Sequence, residues 1–316
     1  MSKLAAVVLA AGVSSRMGSF KPMLTVDGQS MIQRVVSSMQ EVGADPIIVV
    51  TGYKQDVLTQ HLADAGVTFV HNEHYYKTQM LDSLLLGLSA LSTETERVLI
   101  TPADIPLVKS ETIRMLLSSG GAFVRPCYQG TPGHPVVMDF HLRKQLQEFQ
   151  GSGGLRGAIE ASGIVPTDIP VEDFGTTLDG DTRDEYARLL QYHRQETGTR
   201  QPLQLDLQIG LQAETVFWGA DCAQFLELIH ATGSIPHACQ CMHISSTRGW
   251  QIISEMEHQL GCSLLLCSQD PTTGDVALTP AGARFLAAFQ QMQEEIRTES
   301  QAIFRRHFPE GRLNES

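Results

Sequence analysis

The stretch AAVVLAA, residues 5–11, is an apolar run about one strand long that stops at Gly12. A short run of this kind bounded by a turn residue reads as a strand buried on both faces. PIIVVTG (46–52), VTFVHN (67–72) and RVLITPADIP (97–106) repeat the pattern. Between them, Ser30 to Val42 and Gln55 to Ala65 carry apolar residues at helical spacing. This alternation predicts an α/β class: a Rossmann-like, mostly parallel sheet with helices on both faces. Ligands of such sheets gather at the carboxyl ends of strands, which here present Gly12 and Asp104.

At 316 residues the chain suits two domains. The α/β pattern fills 1–191, a polar stretch over 192–205 reads as a linker, and 206–316 is rich in helix-period segments. The formal charge of −12 argues against a general nucleic-acid binder. Lys3 precedes an apolar core, but that core is short for a signal peptide and runs into Arg16 and Lys21. No run is long enough to span a bilayer, so no membrane association is expected. The six cysteines show no paired-ligand spacing, which suits a reducing cytoplasm.

The opening loop, VVLAAGVSSRMGSFKPML (7–24), invites three phosphate-binding readings. A dinucleotide fingerprint needs G-x-G-x-x-G, yet Val13 and Ser14 follow Gly12. A P-loop needs its lysine directly after the second glycine, whereas Lys21 comes three positions after Gly18. The remaining pattern, L-A-A-G-x-S-S-R-M-G-x-x-K-x-x-L, resembles the signature of MobA-like nucleotidyltransferases. Its chemistry is coherent. Glycines admit backbone N–H groups close to a triphosphate, and Ser14 and Ser15 add donors. Arg16 can fork onto phosphate oxygens, and Lys21 supplies a point charge near the α-phosphate. The nucleotide-binding set is therefore Leu9, Ala10, Ala11, Gly12, Ser14, Ser15, Arg16, Gly18 and Lys21.

The resemblance extends over about the first 190 residues. TPADIPLV (101–108) is similar to the family's acidic strand end, which implies that Asp104 holds Mg²⁺. LDGDTRDEY (178–186) resembles the D-x-D-T-P-E-D segment, making Asp181 the second metal ligand and Asp179 the reserve. PCYQGTPGHPVVM (126–138), GSGGLRGAI (151–159) and NEHYYKTQMLDSLLLGL (72–88) resemble segments of the molybdenum-cofactor cytidylyltransferase branch. They imply acceptor contacts at Gln129, Gly133, His134, Pro135 and Ser152. Ala11 is the alanine of that branch's LAAG, where the guanylyl branch has LAGG, and it inclines the base toward cytosine. Ser152, Thr78 with Gln79, and Arg183 depart from the pattern without removing a phosphate or metal group.

The implied reaction transfers a cytidylyl group from CTP to a molybdopterin-type cofactor, with Lys21, Arg16 and Asp104 as catalytic residues and Mg²⁺ as cofactor. Two other readings stand beside it. One is a transcriptional regulator whose transferase domain senses nucleotide or cofactor; the other is a transferase for another phosphorylated acceptor, such as a sugar.

The carboxyl-terminal part resembles the winged helix-turn-helix of ModE-type molybdate regulators through TGSI (232–235), ISSTRGWQIISEM (244–256) and LTPAGARFL (278–286). The metal-sensing modules of full regulators are missing, so no molybdate site is expected. The resemblance puts Ser246, Thr247 and Arg248 at the start of the recognition helix, toward DNA. Against that, acids such as Asp206, Glu214, Asp221, Glu227, Glu255 and Glu257 outnumber the arginines, and the wing DPTTGD (270–275) has no cation. DNA affinity rests mostly on phosphate neutralisation, so binding should be weak or need a dimer. Phe285, Phe289, Met292 and Ile296 on the last helix form a plausible arm for a homodimer. A recipient molybdoenzyme is a further candidate partner. His237, Cys239, Cys241 and His243 have poor ligand geometry on a helix and read as structural, with Trp250 in the core.

Overall fold

The computed structural model describes residues 3–13, 20–151, 153–198, 203–267 and 276–309. The chain divides into two compact units, residues 1–200 and 201–316. No helix among the described residues is long and apolar enough to cross a membrane.

The first unit begins with β1 (Leu4–Ala10), the short pair β2 (Thr25–Val26) and β3 (Gln29–Ser30), then α1 (Met31–Glu41). β4 (Ile47–Thr51), α2 (Gln55–His61), β5 (Thr68–His71), α3 (Met80–Ser89) and β6 (Arg97–Pro102) continue the alternation. There follow α4 (Ser110–Ser118), β7 (Phe123–Tyr128), β8 (Thr131–Pro132) and β9 (Val136–Asp139). The unit closes with α5 (Arg143–Gln147), α6 (Gly154–Ala161), β10 (Thr167–Pro170) and α7 (Arg183–Thr197).

The main sheet runs β10-β7-β9-β6-β1-β4-β5, with β8 attached to β7. β1 lies parallel to both β4 and β6, β5 parallel to β4, and β10 parallel to β7. The expected parallel half is therefore present. β9, inserted antiparallel between β6 and β7, makes the other half mixed. The two faces of β1 feed separate apolar clusters, Ala5 and Val7 on one side and Ala6 and Val8 on the other. That two-sided burial is why the run shows no polar alternation. α1 starts at a capping box: Ser30 Oγ accepts from Gln33 N, and the Gln33 side chain accepts from Ser30 N.

α7 corrects one boundary. It continues to Thr197 and ends at Gly198, whose φ of 69° suits a helix stop, so the expected linker of 192–205 begins inside a helix. Its buried side is only Leu189 and His193, four residues apart, too sparse a stripe to show as an apolar period.

The second unit contains a hairpin of β11 (Leu211–Gln212) and β12 (Val216–Trp218), then α8 (Ala220–Thr232), α9 (Ile235–Cys241) and α10 (Ser246–Leu260). β13 (Leu265–Cys267) pairs antiparallel with β14 (Val276–Leu278), and α11 (Pro280–His307) ends the unit. The wing expected at 270–275 lies outside the described residues. Trp250 is not core: it is 48% exposed. α10 buries Gly249, Ile253 and Met256, and Trp250 stands one residue off that stripe. Trp218 takes the core role, edge-on to Phe285 and Phe289 at 4.6 and 5.6 Å between ring centres.

Candidate active site

Lys21 opens a short helical turn, Lys21–Met23, with Pro22 fixing the backbone behind it. Its ammonium donates to Asp104 Oδ2 at 2.8 Å and also to Asp181 Oδ1. Asp104 follows β6, and Asp181 immediately precedes the cap of α7. Three distant stretches of sequence, the loop and the two acidic segments, thus converge on one cation. Asp181 is not the helix cap: Thr182 Oγ1 accepts from Glu185 N at 3.2 Å and fills that role. The Tyr186 hydroxyl donates to the Thr25 carbonyl at 2.6 Å, fastening α7 to the strand that follows Lys21.

Burial opposes the charge on Lys21, but the carboxylates of Asp104 and Asp181 outweigh it and hold its pKa above the ordinary lysine value. Asp179, beside them, is pushed up by its own burial and then by the charges of Asp181 and Asp104. Two carboxylates sharing one cation suit a hard divalent ion, which takes one or two carboxylates and completes its shell with phosphate oxygens. Among the described residues no group of three or more His, Cys, Asp or Glu is arranged to hold a metal ion by itself, in the His237–His243 segment or elsewhere. Cys239 is buried and Cys241 half-buried, in keeping with structural thiols.

Leu9, Ala10, Ala11 and Gly12 lie at the carboxyl end of β1. Ala11 is buried in the apolar cluster around Val7 and Val50, and its carbonyl accepts from Tyr53 N at 3.2 Å. Packing alone therefore accounts for an alanine there. Ser14, Ser15, Arg16 and Gly18 of the same loop, and Ser152 of the acceptor segment, lie outside the described residues.

The residues expected to contact an acceptor, Gln129, Gly133, His134 and Pro135, straddle β8. Gln129 is exposed with φ of 48°, turning the chain between β7 and β8. Gly133 donates to the Pro126 carbonyl and His134 N to the Thr176 carbonyl, each at 2.8 Å. Pro135, joined to His134 by a cis peptide, is buried. The His134 ring lies near the Ile100 carbonyl, and its buried Nδ1 has no hydrogen-bond partner among the described residues. Burial drives the His134 pKa below 6.5 against the pull of Asp104 and that carbonyl, so the ring is neutral at pH 7. The 72–88 and 151–159 segments also meet, since a Cβ on Gly154 would stand 3.2 Å from Gln79 Oε1. Asn72 anchors the first of them through Thr78 Oγ1 at 2.7 Å and Ser83 Oγ at 3.0 Å.

Sequence reasoning missed Thr176 and Tyr53, because both act here through backbone groups and leave no side-chain signature. Asn72 stood in a quoted segment, but only the structure gives it a task. In the second unit, Ser246, Thr247 and Arg248 are all exposed at the amino end of α10, where Ser245 Oγ accepts from Arg248 N.

A pH dependence follows from the buried rings. Burial lowers the pKa of His134, His193 and His61 alike. On acidification the unfolded chain takes up these protons first. Stability is thus full above about pH 6.5 and falls as pH drops toward the lower folded-state values. Melting temperatures measured from pH 7.5 to 5.5 should decline, and more gently in His134→Gln. An unchanged slope in that variant would remove His134 from the account.

The MobA-like NTP transferase domain family matches residues 6–165. The molybdenum cofactor cytidylyltransferase of Escherichia coli K12 is 28% identical over 189 residues, which is 59% of this chain and 95% of that protein. The bifunctional protein GlmU of Francisella philomiragia is 36% identical over 118 residues, 37% of this chain but only 25% of GlmU. Among solved structures, a nucleotidyl transferase from Methanothermobacter has a TM-score of 0.55 at 21% identity, covering 62% of this chain and all of that one. Rv0371c from Mycobacterium tuberculosis has a TM-score of 0.53 at 24% identity, covering 60% and 98%. Both share the fold.

Proposed function

The chain belongs to the MobA-like NTP transferase family and is a nucleotidyltransferase; from that premise we propose that it moves a cytidylyl group from CTP to a molybdopterin-type cofactor. The observation that carries the reading is the Lys21 ammonium held between Asp104 and Asp181 beside neutral His134. The E. coli relative, matched over nearly its whole length, supports the choice of base and acceptor.

In the reaction, an ionised phosphate oxygen of the acceptor attacks the α-phosphorus of CTP, the bond to the β-phosphate breaks, and pyrophosphate leaves. An acceptor already ionised needs no general base. Lys21 stabilises charge developing at the α-phosphate, and Arg16 holds the departing pyrophosphate. Asp104 and Asp181 would hold Mg²⁺, which screens the triphosphate. Gln129, Gly133, His134, Pro135 and Ser152 form the acceptor side. His134, being neutral, adds no charge there, and its unpaired Nδ1 is available as an acceptor for a ligand N–H.

The second unit reads as a winged helix-turn-helix of the ModE type, with α9 and α10 as the helix pair and β13–β14 as the base of the wing. The exposure of Ser246, Thr247 and Arg248 favours DNA contact, and the acid excess keeps it weak. Of the residues expected on the dimer arm, Phe285 and Phe289 instead pack on Trp218 within this unit, while α11 leaves Ile296 exposed together with Ile303, and these two suit a homodimer.

The deciding experiment incubates the pure protein with each nucleoside triphosphate, Mg²⁺ and molybdenum cofactor, and follows pyrophosphate. Release with CTP above the other nucleotides is expected; none with any nucleotide refutes the reading. Fluorescence anisotropy on DNA at low and moderate salt reads the second unit, with binding expected only at low salt.

A further inference from the structure

A second cleft, of about 280 Å³, opens on the first unit between α1, residues 106–111 and the later turns of α7. Neither Lys21 nor its two aspartates line it. Two nitrogens on its walls, Arg34 Nε and His193 Nε2, are buried without a hydrogen-bond partner among the described residues. His193 is only 5% exposed, and Asp27 stands 3.7 Å from Nε2, beyond hydrogen-bond reach. The Arg34 guanidinium donates from Nη1 to the Val26 carbonyl at 3.3 Å. Buried polar groups in native proteins are nearly always paired. Two such nitrogens on one cleft indicate a ligand bearing acceptors.

Charge decides what kind. Arg34 and Lys109 face Glu41, Glu111 and Glu196, and Lys109 is paired with Glu196. Burial, and then the nearby Arg34 charge, keeps His193 neutral near pH 7 despite the opposing pull of Asp27. Three carboxylates against two cations disfavour phosphate or any multiply charged anion. A single carboxylate would satisfy Arg34 and His193, and an ammonium on the same molecule would answer Glu41 and Glu111.

We infer that this cleft binds a free α-amino acid as an effector. The ligand would touch residues 106–111, just after Asp104, and the last turns of α7, whose first turn follows Asp181, so it bears on the two elements that carry both carboxylates. This site does not depend on the identity of the transferase substrates.

The test is binding to the full chain, read by melting temperature and saturation-transfer NMR. The probes are the twenty amino acids one at a time, their N-acetyl forms, the matching amines and inorganic phosphate. At least one free amino acid should bind, while forms lacking either charged group should not. Arg34→Gln and Ser37→Glu should each weaken binding by about tenfold or more, given the strength of charged hydrogen bonds. Both should leave ligand-free pyrophosphate release unchanged, and Lys21→Ala should leave amino-acid binding intact. Ser37→Glu keeps Arg34 but sets a carboxylate one turn from it on α1, competing with the ligand for the guanidinium, so the test survives if Arg34→Gln fails to fold. The inference is overturned if no amino acid binds, if phosphate or an N-acetyl form binds as well, or if binding persists in both variants.

Discussion

Lys21→Ala should slow nucleotidyl transfer by about 10²-fold or more, as expected for the loss of one preorganised charge at a reacting phosphate. The expectation is strong because the ammonium is nearly buried at the point where the loop, Asp104 and Asp181 meet, so its charge acts in surroundings that screen it little. Truncation also leaves Asp104 and Asp181 facing each other without their shared cation. That repulsion should weaken nucleotide binding as well as chemistry. Pyrophosphate release measured over a range of CTP and Mg²⁺ concentrations separates the two: a fall in kcat that excess Mg²⁺ does not restore supports a role at the transition state. A loss below 10²-fold, recovered by more nucleotide, would make Lys21 a binding residue only. Lys21→Arg should rescue poorly, because a planar fork cannot occupy the place of a compact ammonium between these two oxygens.

Gly133→Ala should destabilise the first unit by about 2–3 kcal/mol, in the upper range for overpacking. An added Cβ would stand 2.4 Å from the Thr176 carbonyl oxygen and 2.9 Å from its carbon, both backbone atoms. Relief requires the turn at Phe174–Thr177 to move, which pulls on the His134 N–H bond to that same oxygen. The variant should therefore melt several degrees lower and also raise KM for the acceptor. Gly12→Ala is the contrasting case. Its Cβ meets nothing within 4 Å among the described residues, so the fold should tolerate it while close approach of a triphosphate to the loop suffers. Equal melting temperatures for the two variants would refute the packing argument.

The sequence made the parallel half of the sheet legible because strands buried on both faces must be apolar throughout. β7, β9 and β10 were harder to see. Their residues sit amid QGTPGHP and other turn-rich segments, and nothing in a short apolar stretch such as Val136–Met138 tells which way the strand runs. Lys21, Asp104 and Asp181 each stand in a motif that singles them out. Their meeting does not show there, since a long-range contact leaves no local pattern. Arg34 and His193 carry no motif at all, and only burial without a partner singles them out. Trp250 misled because a large aromatic on an amphipathic helix suggests core, yet one step around the helix separates the buried stripe from solvent.

Asp173, buried and aligned with no catalytic motif, accepts from Lys109 N at 2.9 Å, Thr112 Oγ1 at 2.7 Å and Gly175 N at 3.0 Å. Those bonds rivet the chain that follows Asp104 to the chain that leads into Asp181. The gap between the jaws is then set by a rivet outside them, much as the opening of a pair of tongs is set at the pivot. On the proposed reading, in which the two carboxylates hold a divalent ion, substitutions around Asp173 that never touch nucleotide should retune how wide a cation the jaws accept, and ion preference becomes a property of the framework as much as of the jaws.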